Sequence, residues 1–234
     1  MRTKVLQEKI NTLDKQDMLG KLKGFPAQCR EGYTLPLPVL PERRFNKIIF
    51  CGMGGSAIGA DIIGTLAHNY SSIPCTVNRD YSLPSYADRD TLVVTISYSG
   101  NTEETLSSLE FAKEKGCGLL CISSNGKIEE SAHTNKIPFV KIPGGYPPRC
   151  AIGYLFFPCY RIMNILGVVP EIEDGFFRKI EKWADDLFPG KTGNLAVKIA
   201  EKLHGHLAVL YSNSKLLPAT TRWKTQIAEN SKSF

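Results

Sequence analysis

Between residues 47 and 143 the chain carries five short runs, KIIFCG (47–52), PCTVN (74–78), TLVVTIS (91–97), GLLCIS (118–123) and PFVKIP (138–143), rich in apolar residues and without strict alternation. A strand with one wet face alternates with period two, so runs that do not alternate read as strands covered on both faces. Between them lie SAIGADIIGTLAH (56–68), with Ile58, Ile62, Ile63 and Leu66 at helical spacing, and TEETLSSLEFAKEKG (102–116). Buried strands alternating with helices predict an α/β fold: a three-layer αβα sandwich around a mainly parallel five-stranded sheet, flavodoxin-like or Rossmann-like.

The flanks divide the chain further. Residues 1–45 read as a helical arm and a Pro-rich lead-in, TLPLPVLPE, and 46–170 as the α/β domain. That domain closes with CAIGYLFFPCYRIMNIL (150–166), a helix that Pro158 should kink or break. Residues 171–193 form a helical linker, with a helix over about 176–187. In 194–234 a helix (194–205), a strand LAVLYS (207–212), a polar loop and a helix from about 216 resemble the opening βα unit of a second, similar domain. One strand between two helices cannot make a sheet, so this part is expected to be the incomplete start of a domain belonging to a longer chain.

Charge and cysteine usage narrow the function classes. The 29 basic and 23 acidic residues give a net charge of +6 but form no basic run of five or more, and no basic patch is interleaved with aromatics. The surplus suits a small anionic ligand, and nucleic acid ranks last among the partners. No apolar run approaches the ~18 residues that cross a bilayer, and MRTKVLQEKINTLDKQ alternates charges instead of building a signal peptide, which predicts a cytoplasmic protein with no membrane partner. The seven cysteines include no C-x-x-C pair, and read as reduced core thiols rather than metal ligands.

Two loops carry the chemistry. In CGMGGSAIG (51–59) a buried strand ends in glycines and the next helix opens at Ser56, which brings backbone N–H groups and a positive helix end to one place. The same residues fit a ligand-free βα turn, and Gly52-x-Gly54-x-x-Ala57 fits a dinucleotide fingerprint with Asp80 as the ribose-binding acid. In TISYSGNTEET (95–105), Ser97, Ser99 and Thr102 gather with Gly100 and Asn101 before a helix whose first turn holds Glu103 and Glu104. Thr102 could merely cap that helix, but capping needs one hydroxyl and not three. A dinucleotide fold does not require the second loop, so the pair favours a phosphomonoester. SSNGK (123–127) reads as a plain turn.

GMGGS, SYSGNT, PPR (147–149) and RWKTQIAENSK (222–232) resemble the sugar isomerase (SIS) fold, and their order is similar to the bifunctional phosphoglucose/phosphomannose isomerase family. The resemblance implies that Gly54, Gly55, Ser56, Ser97, Ser99 and Thr102 hold the phosphate of a hexose 6-phosphate. It implies that Arg149 stabilises a cis-enediolate at C1/C2 and that Glu229 is the catalytic base of an aldose–ketose isomerisation. No metal or redox cofactor is implied, and a homodimer of the full-length form is. The residues themselves agree in outline: Leu216, Ala219, Trp223 and Ile227 form a helical stripe that puts Glu229 at a helix C-terminus, and Arg149 follows two stiffening prolines. Family members continue past the base to a histidine supplied by a neighbouring subunit and to a lysine and a threonine. These have no counterpart here, so the chain is expected to bind sugar phosphate weakly and isomerise it poorly. The alternatives are a non-catalytic sugar-phosphate-binding SIS regulatory module, which Arg149 and Glu229 argue against, and a NAD-dependent dehydrogenase, which TISYSGNT disfavours.

Overall fold

Strands β1 (Lys47–Cys51), β2 (Cys75–Asn78), β3 (Thr91–Ser97), β4 (Gly118–Ser123) and β5 (Phe139–Lys141) form one sheet in the order β2-β1-β3-β4-β5. The computed structural model describes residues 10, 12–189 and 193–232. Every pairing is parallel, with Cys51 opposite Thr95 and Ser97 opposite Ser123. Helices α1 (Met18–Lys23) and α2 (Phe25–Thr34) precede the sheet, and α3 (Gly54–Tyr70), α4 (Glu103–Glu114) and α5 (Gly126–Thr134) connect its strands. After β5 come α6 (Ile152–Ile165), α7 (Phe176–Leu187), α8 (Leu195–Leu203) and α9 (Leu217–Gln226).

The lack of alternation in the strands has a direct cause. Ile48 and Phe50 of β1 and Leu92, Val94 and Ile96 of β3 pack on one face with Ile63 of α3 and Leu155 and Ile162 of α6. Ile49, Cys51 and Val93 face the other way, against Ala112 of α4, while Leu109 of α4 packs with Cys121 of β4 and Ile128 of α5. Both faces are covered, and all seven residues of β3 are buried. This is the three-layer α/β sandwich that the runs predict. None of the helices among the described residues is long and apolar enough to cross a membrane.

Two local expectations are corrected. Helix α6 runs through Pro158 from Ile152 to Ile165. Pro158 is buried, and the apolar packing of its helix on the sheet outweighs the lost N–H. Residues 207–212 form no strand: Leu207, Val209 and Tyr211 are 72%, 62% and 91% exposed, and the segment joins no ladder. Apolar composition favours strand only where an edge is present to pair with, and this segment has none beside it. Residues 1–9 and 11 of the predicted arm and 190–192 of the predicted linker lie outside the described residues.

Candidate active site

The sheet order places a topological switch between β1 and β3, because the chain leaves β1 for β2 on one side and leaves β3 for β4 on the other. Open α/β sheets bind ligands outside the carboxyl ends of two such strands. The predicted phosphate loops lie at those two ends. They approach more closely than side chains allow, since a Cβ on Gly52 would lie 2.8 Å from the Ile96 carbonyl oxygen. A hydrogen bond joins them, from the Tyr98 N–H to Ser56 Oγ at 3.3 Å.

In the first loop α3 begins at Gly54, two residues earlier than predicted, and Met53 at its N-cap offers no side-chain bond. The Gly54 and Gly55 N–H groups open the helix, where backbone donors and the helix dipole favour an anion, while the Ser56 N–H donates to the Met53 carbonyl at 3.0 Å. In the second loop Ser97 Oγ accepts the Gly100 N–H at 3.1 Å and lies 2.9 Å from Thr102 Oγ1. Ser99 Oγ accepts the Asn101 N–H at 3.3 Å. Thr102 occupies the N-cap of α4 but makes no capping bond, so its hydroxyl serves the loop.

The loop is built on Gly100, whose φ of +67° is left-handed and whose Cβ would fall 1.6 Å from the Asn125 carbonyl oxygen. Residues 123–127, read from sequence as a plain turn, buttress it. The Ser124 hydroxyl donates to the Tyr98 carbonyl, and the Lys127 N–H donates to Asn101 Oδ1 at 3.1 Å. Asp80, the acid of the dinucleotide alternative, accepts the N–H of its neighbour Tyr81 at 2.7 Å.

Arg149 lies in a 3₁₀ turn, Pro148–Cys150, after the Gly144-Gly145 loop. Tyr98 ties that loop to the second phosphate loop: its hydroxyl donates to the Pro143 carbonyl at 3.2 Å and accepts the Tyr146 N–H at 2.8 Å. The turn also reaches the first loop, where a Cβ on Gly55 would lie 3.4 Å from the Pro148 carbonyl oxygen. From below, the buried Gln28 of α2 donates to the Cys150 carbonyl at 3.0 Å and accepts the Gly153 N–H at 2.7 Å. Arg149 joins none of the ion pairs among the described residues. Its Nε donates instead to Asn230 Oδ1 at 2.9 Å, and its carbonyl accepts from Arg222 at 3.1 Å and Gln226 at 3.4 Å.

Glu229 is exposed, in the π-turn Ile227–Ser231 that continues α9, so it sits at the helix end that the stripe predicts. Its field reaches the same cluster. Burial lowers Arg222 from the usual guanidinium range, with Cys150 and the Glu229 carboxylate acting in the opposite sense. Burial raises the Cys150 thiol, while Arg149, Arg222 and Lys21 pull it down and Glu229 pushes it up. Arg149, Arg222, Lys21 and the Glu229 carboxylate thus all act on the Cys150 thiol of this turn.

An apolar cavity of about 540 Å³, lined by Phe25, Ile62, Phe156, Phe157, Tyr160 and Phe176 among others, lies along α3 and α6 away from both loops. Its charged lining is Glu171 and Glu173, the wrong sign for phosphate. The backbone donors and hydroxyls that suit an anion lie in the two loops, not in this cavity.

The structure thus gathers Gly54, Gly55, Ser56, Ser97, Ser99 and Thr102 at one sheet edge, and sets Arg149 beside the stretch that holds Glu229. Sequence reasoning missed Gln28, Tyr98, Arg222, Gln226 and Asn230 as parts of this assembly. The four-residue spacing of Gln226 and Asn230 around Glu229 was a usable signal; Gln28, distant in sequence, offered none.

Residues 43–138 match the SIS domain family, and residues 192–234 match the bacterial phospho-glucose isomerase C-terminal SIS domain. The chain is 35% identical over 227 residues to the bifunctional phosphoglucose/phosphomannose isomerase of Caldicellulosiruptor bescii, covering 92% of this chain and 66% of that protein. It is 41% identical over 191 residues to the protein of the same name from Aquifex aeolicus, covering 81% and 57% respectively. The chain therefore spans less than two thirds of the length of these curated relatives. The C-terminal domain of glucosamine-fructose-6-phosphate aminotransferase from Francisella tularensis shares the fold, with a TM-score of 0.64 at 17% identity over 92% of this chain and 68% of that one. Sequence kinship across most of the chain, on a sheet whose switch-point loops carry the expected hydroxyls, establishes that it belongs to the bifunctional phosphoglucose/phosphomannose isomerase family.

Proposed function

We propose that the protein is an aldose–ketose isomerase that interconverts glucose 6-phosphate, mannose 6-phosphate or both with fructose 6-phosphate. The observation that carries this reading is the junction of two assemblies. Gly55 of the first phosphate loop lies against Pro148, and the next residue, Arg149, is bonded to Asn230, the neighbour of Glu229. A sugar held by its phosphate at Gly54, Gly55, Ser56, Ser97, Ser99 and Thr102 would extend its C1/C2 end toward Arg149 and Glu229.

In the open-chain aldose, Glu229 takes the C2 proton and the C–H electron pair enters a C1–C2 cis-enediolate. Arg149 stabilises the charge on oxygen, a hydroxyl proton moves between O2 and O1, and the proton held by Glu229 returns to C1. A cytoplasmic homodimer belongs to the same proposal. All seven cysteines are free thiols, as a reducing compartment favours, and the dimer follows from the family resemblance.

Incubation with fructose 6-phosphate in D₂O tests the reading, with deuterium at C1 or C2 followed by NMR. The expected result is slow but enzyme-dependent exchange, lowered further, by roughly 10²- to 10⁴-fold in Glu229→Gln and about 10²- to 10³-fold in Arg149→Ala. Saturable sugar-phosphate binding with no exchange would identify a binding module and overturn the isomerase reading.

A further inference from the structure

We propose that Asn230 and Gln226 are positioning residues that orient the Arg149 guanidinium without neutralising it. This rests on the isomerase reading above and assigns two residues that act on the reaction through Arg149. The observation is a closed ring of hydrogen bonds: Arg149 Nε to Asn230 Oδ1 at 2.9 Å, Asn230 Nδ2 to Gln226 Oε1 at 3.0 Å, and Gln226 Nε2 to the Arg149 carbonyl at 3.4 Å. Arg222 donates to that same carbonyl at 3.1 Å.

The polarity of the ring is dictated by its ends. A guanidinium can only donate and a carbonyl can only accept, so each amide has one permitted orientation between them. Asn230 must turn its oxygen to Nε and its nitrogen to Gln226, and Gln226 must then turn its nitrogen to the carbonyl. Main chain and side chain of Arg149 are held by one device, which removes freedom from a side chain with several rotatable bonds.

The choice of a neutral partner matters. A carboxylate at position 230 would grip Nε more strongly, but it would cancel the positive charge that a developing enediolate needs. An amide oxygen orients the guanidinium and leaves its charge available. The ring also spans the π-turn that holds Glu229, so the widened helix end and the arginine are fixed relative to each other.

The test compares the unsubstituted protein with Asn230→Ala, Asn230→Asp and Gln226→Leu. Asn230 is exposed, so its replacement leaves the core intact. The readouts are kcat and KM for fructose 6-phosphate and the NMR signal and solvent exchange of the Arg149 Nε–H. Asn230→Ala and Gln226→Leu should lower kcat roughly 10- to 100-fold, the scale of a displaced catalytic group. KM should stay within about twofold, because the phosphate is held at the switch-point loops. The Nε–H should exchange faster in both.

Asn230→Asp is the discriminating variant: the protected Nε–H should return while kcat remains low. Wild-type kcat in Asn230→Ala, an unchanged Nε–H in that variant, or full turnover in Asn230→Asp would each overturn the proposal. If the unsubstituted protein shows no turnover, the isomerase reading fails by itself, and the Nε–H comparison still decides whether the ring orients Arg149.

Discussion

Replacing Gln28 with methionine keeps the side-chain volume in α2 and removes two hydrogen bonds from beneath the Arg149 turn. Helix α6 begins after Ala151, which cannot cap it, so the Gly153 N–H depends on Gln28 Oε1 at 2.7 Å. On the same amide, Nε2 serves the Cys150 carbonyl at 3.0 Å. Gln28 is only 2% exposed, and water cannot replace it without opening the contact between α2 and α6. Each orphaned buried group costs about 1–3 kcal/mol, and methionine recovers part of that because no amide need be desolvated. The expected loss is about 2–4 kcal/mol. With a urea m-value of about 2–3 kcal/mol/M, the unfolding midpoint should fall by roughly 1 M. Circular dichroism at matched protein concentration measures it, and a shift below about 0.2 M would show that the buried amide does not anchor the turn.

Gly100→Ala should be poorly tolerated, because a left-handed backbone and a Cβ 1.6 Å from the Asn125 carbonyl oxygen together force the second phosphate loop to move. Calorimetric titration with fructose 6-phosphate should show at least about a tenfold loss of affinity, and wild-type affinity would refute the loop's rigidity. Alkaline pH should destabilise the fold through its thiols. Burial pushes Cys29 and Cys51 up to about 12 and Cys121 up to about 11, from the usual thiol value of 9.0. Folding therefore keeps protons that the unfolded chain releases, so this stabilisation is complete below pH 9 and is lost as pH rises toward 11–12. Each thiol should contribute a slope of up to about 1.4 kcal/mol per pH unit, and a urea midpoint that stays constant from pH 8.5 to about 10.5 would contradict it.

Where local pattern decided the outcome, the sequence was a sufficient guide. The five apolar runs fall on β1–β5, because a strand covered on both faces needs apolar side chains at successive positions and a loop where burial ends. The glycine and hydroxyl clusters fall at the carboxyl ends of β1 and β3, where the ladder stops and the chain turns into the next helix. Local pattern misled at two places. The segment 207–212 has strand composition but no neighbouring edge, and Pro158 breaks the helical rule inside a helix that buried packing sustains.

The site itself divides along the same line. That Ser56, Ser97, Ser99 and Thr102 lie together at the ends of two neighbouring strands was foreseeable from two strand-loop-helix units, each of which carries its own short-range signature. That Tyr98 ties the second loop to residues 143–146, that Gln28 reaches Cys150 and Gly153, and that Asn230 grips Arg149 was settled only by the packed molecule. Hydrogen bonds between residues far apart in sequence leave no periodicity behind them. They form because a buried donor or acceptor must be satisfied by whatever the folded layers bring within about 3 Å.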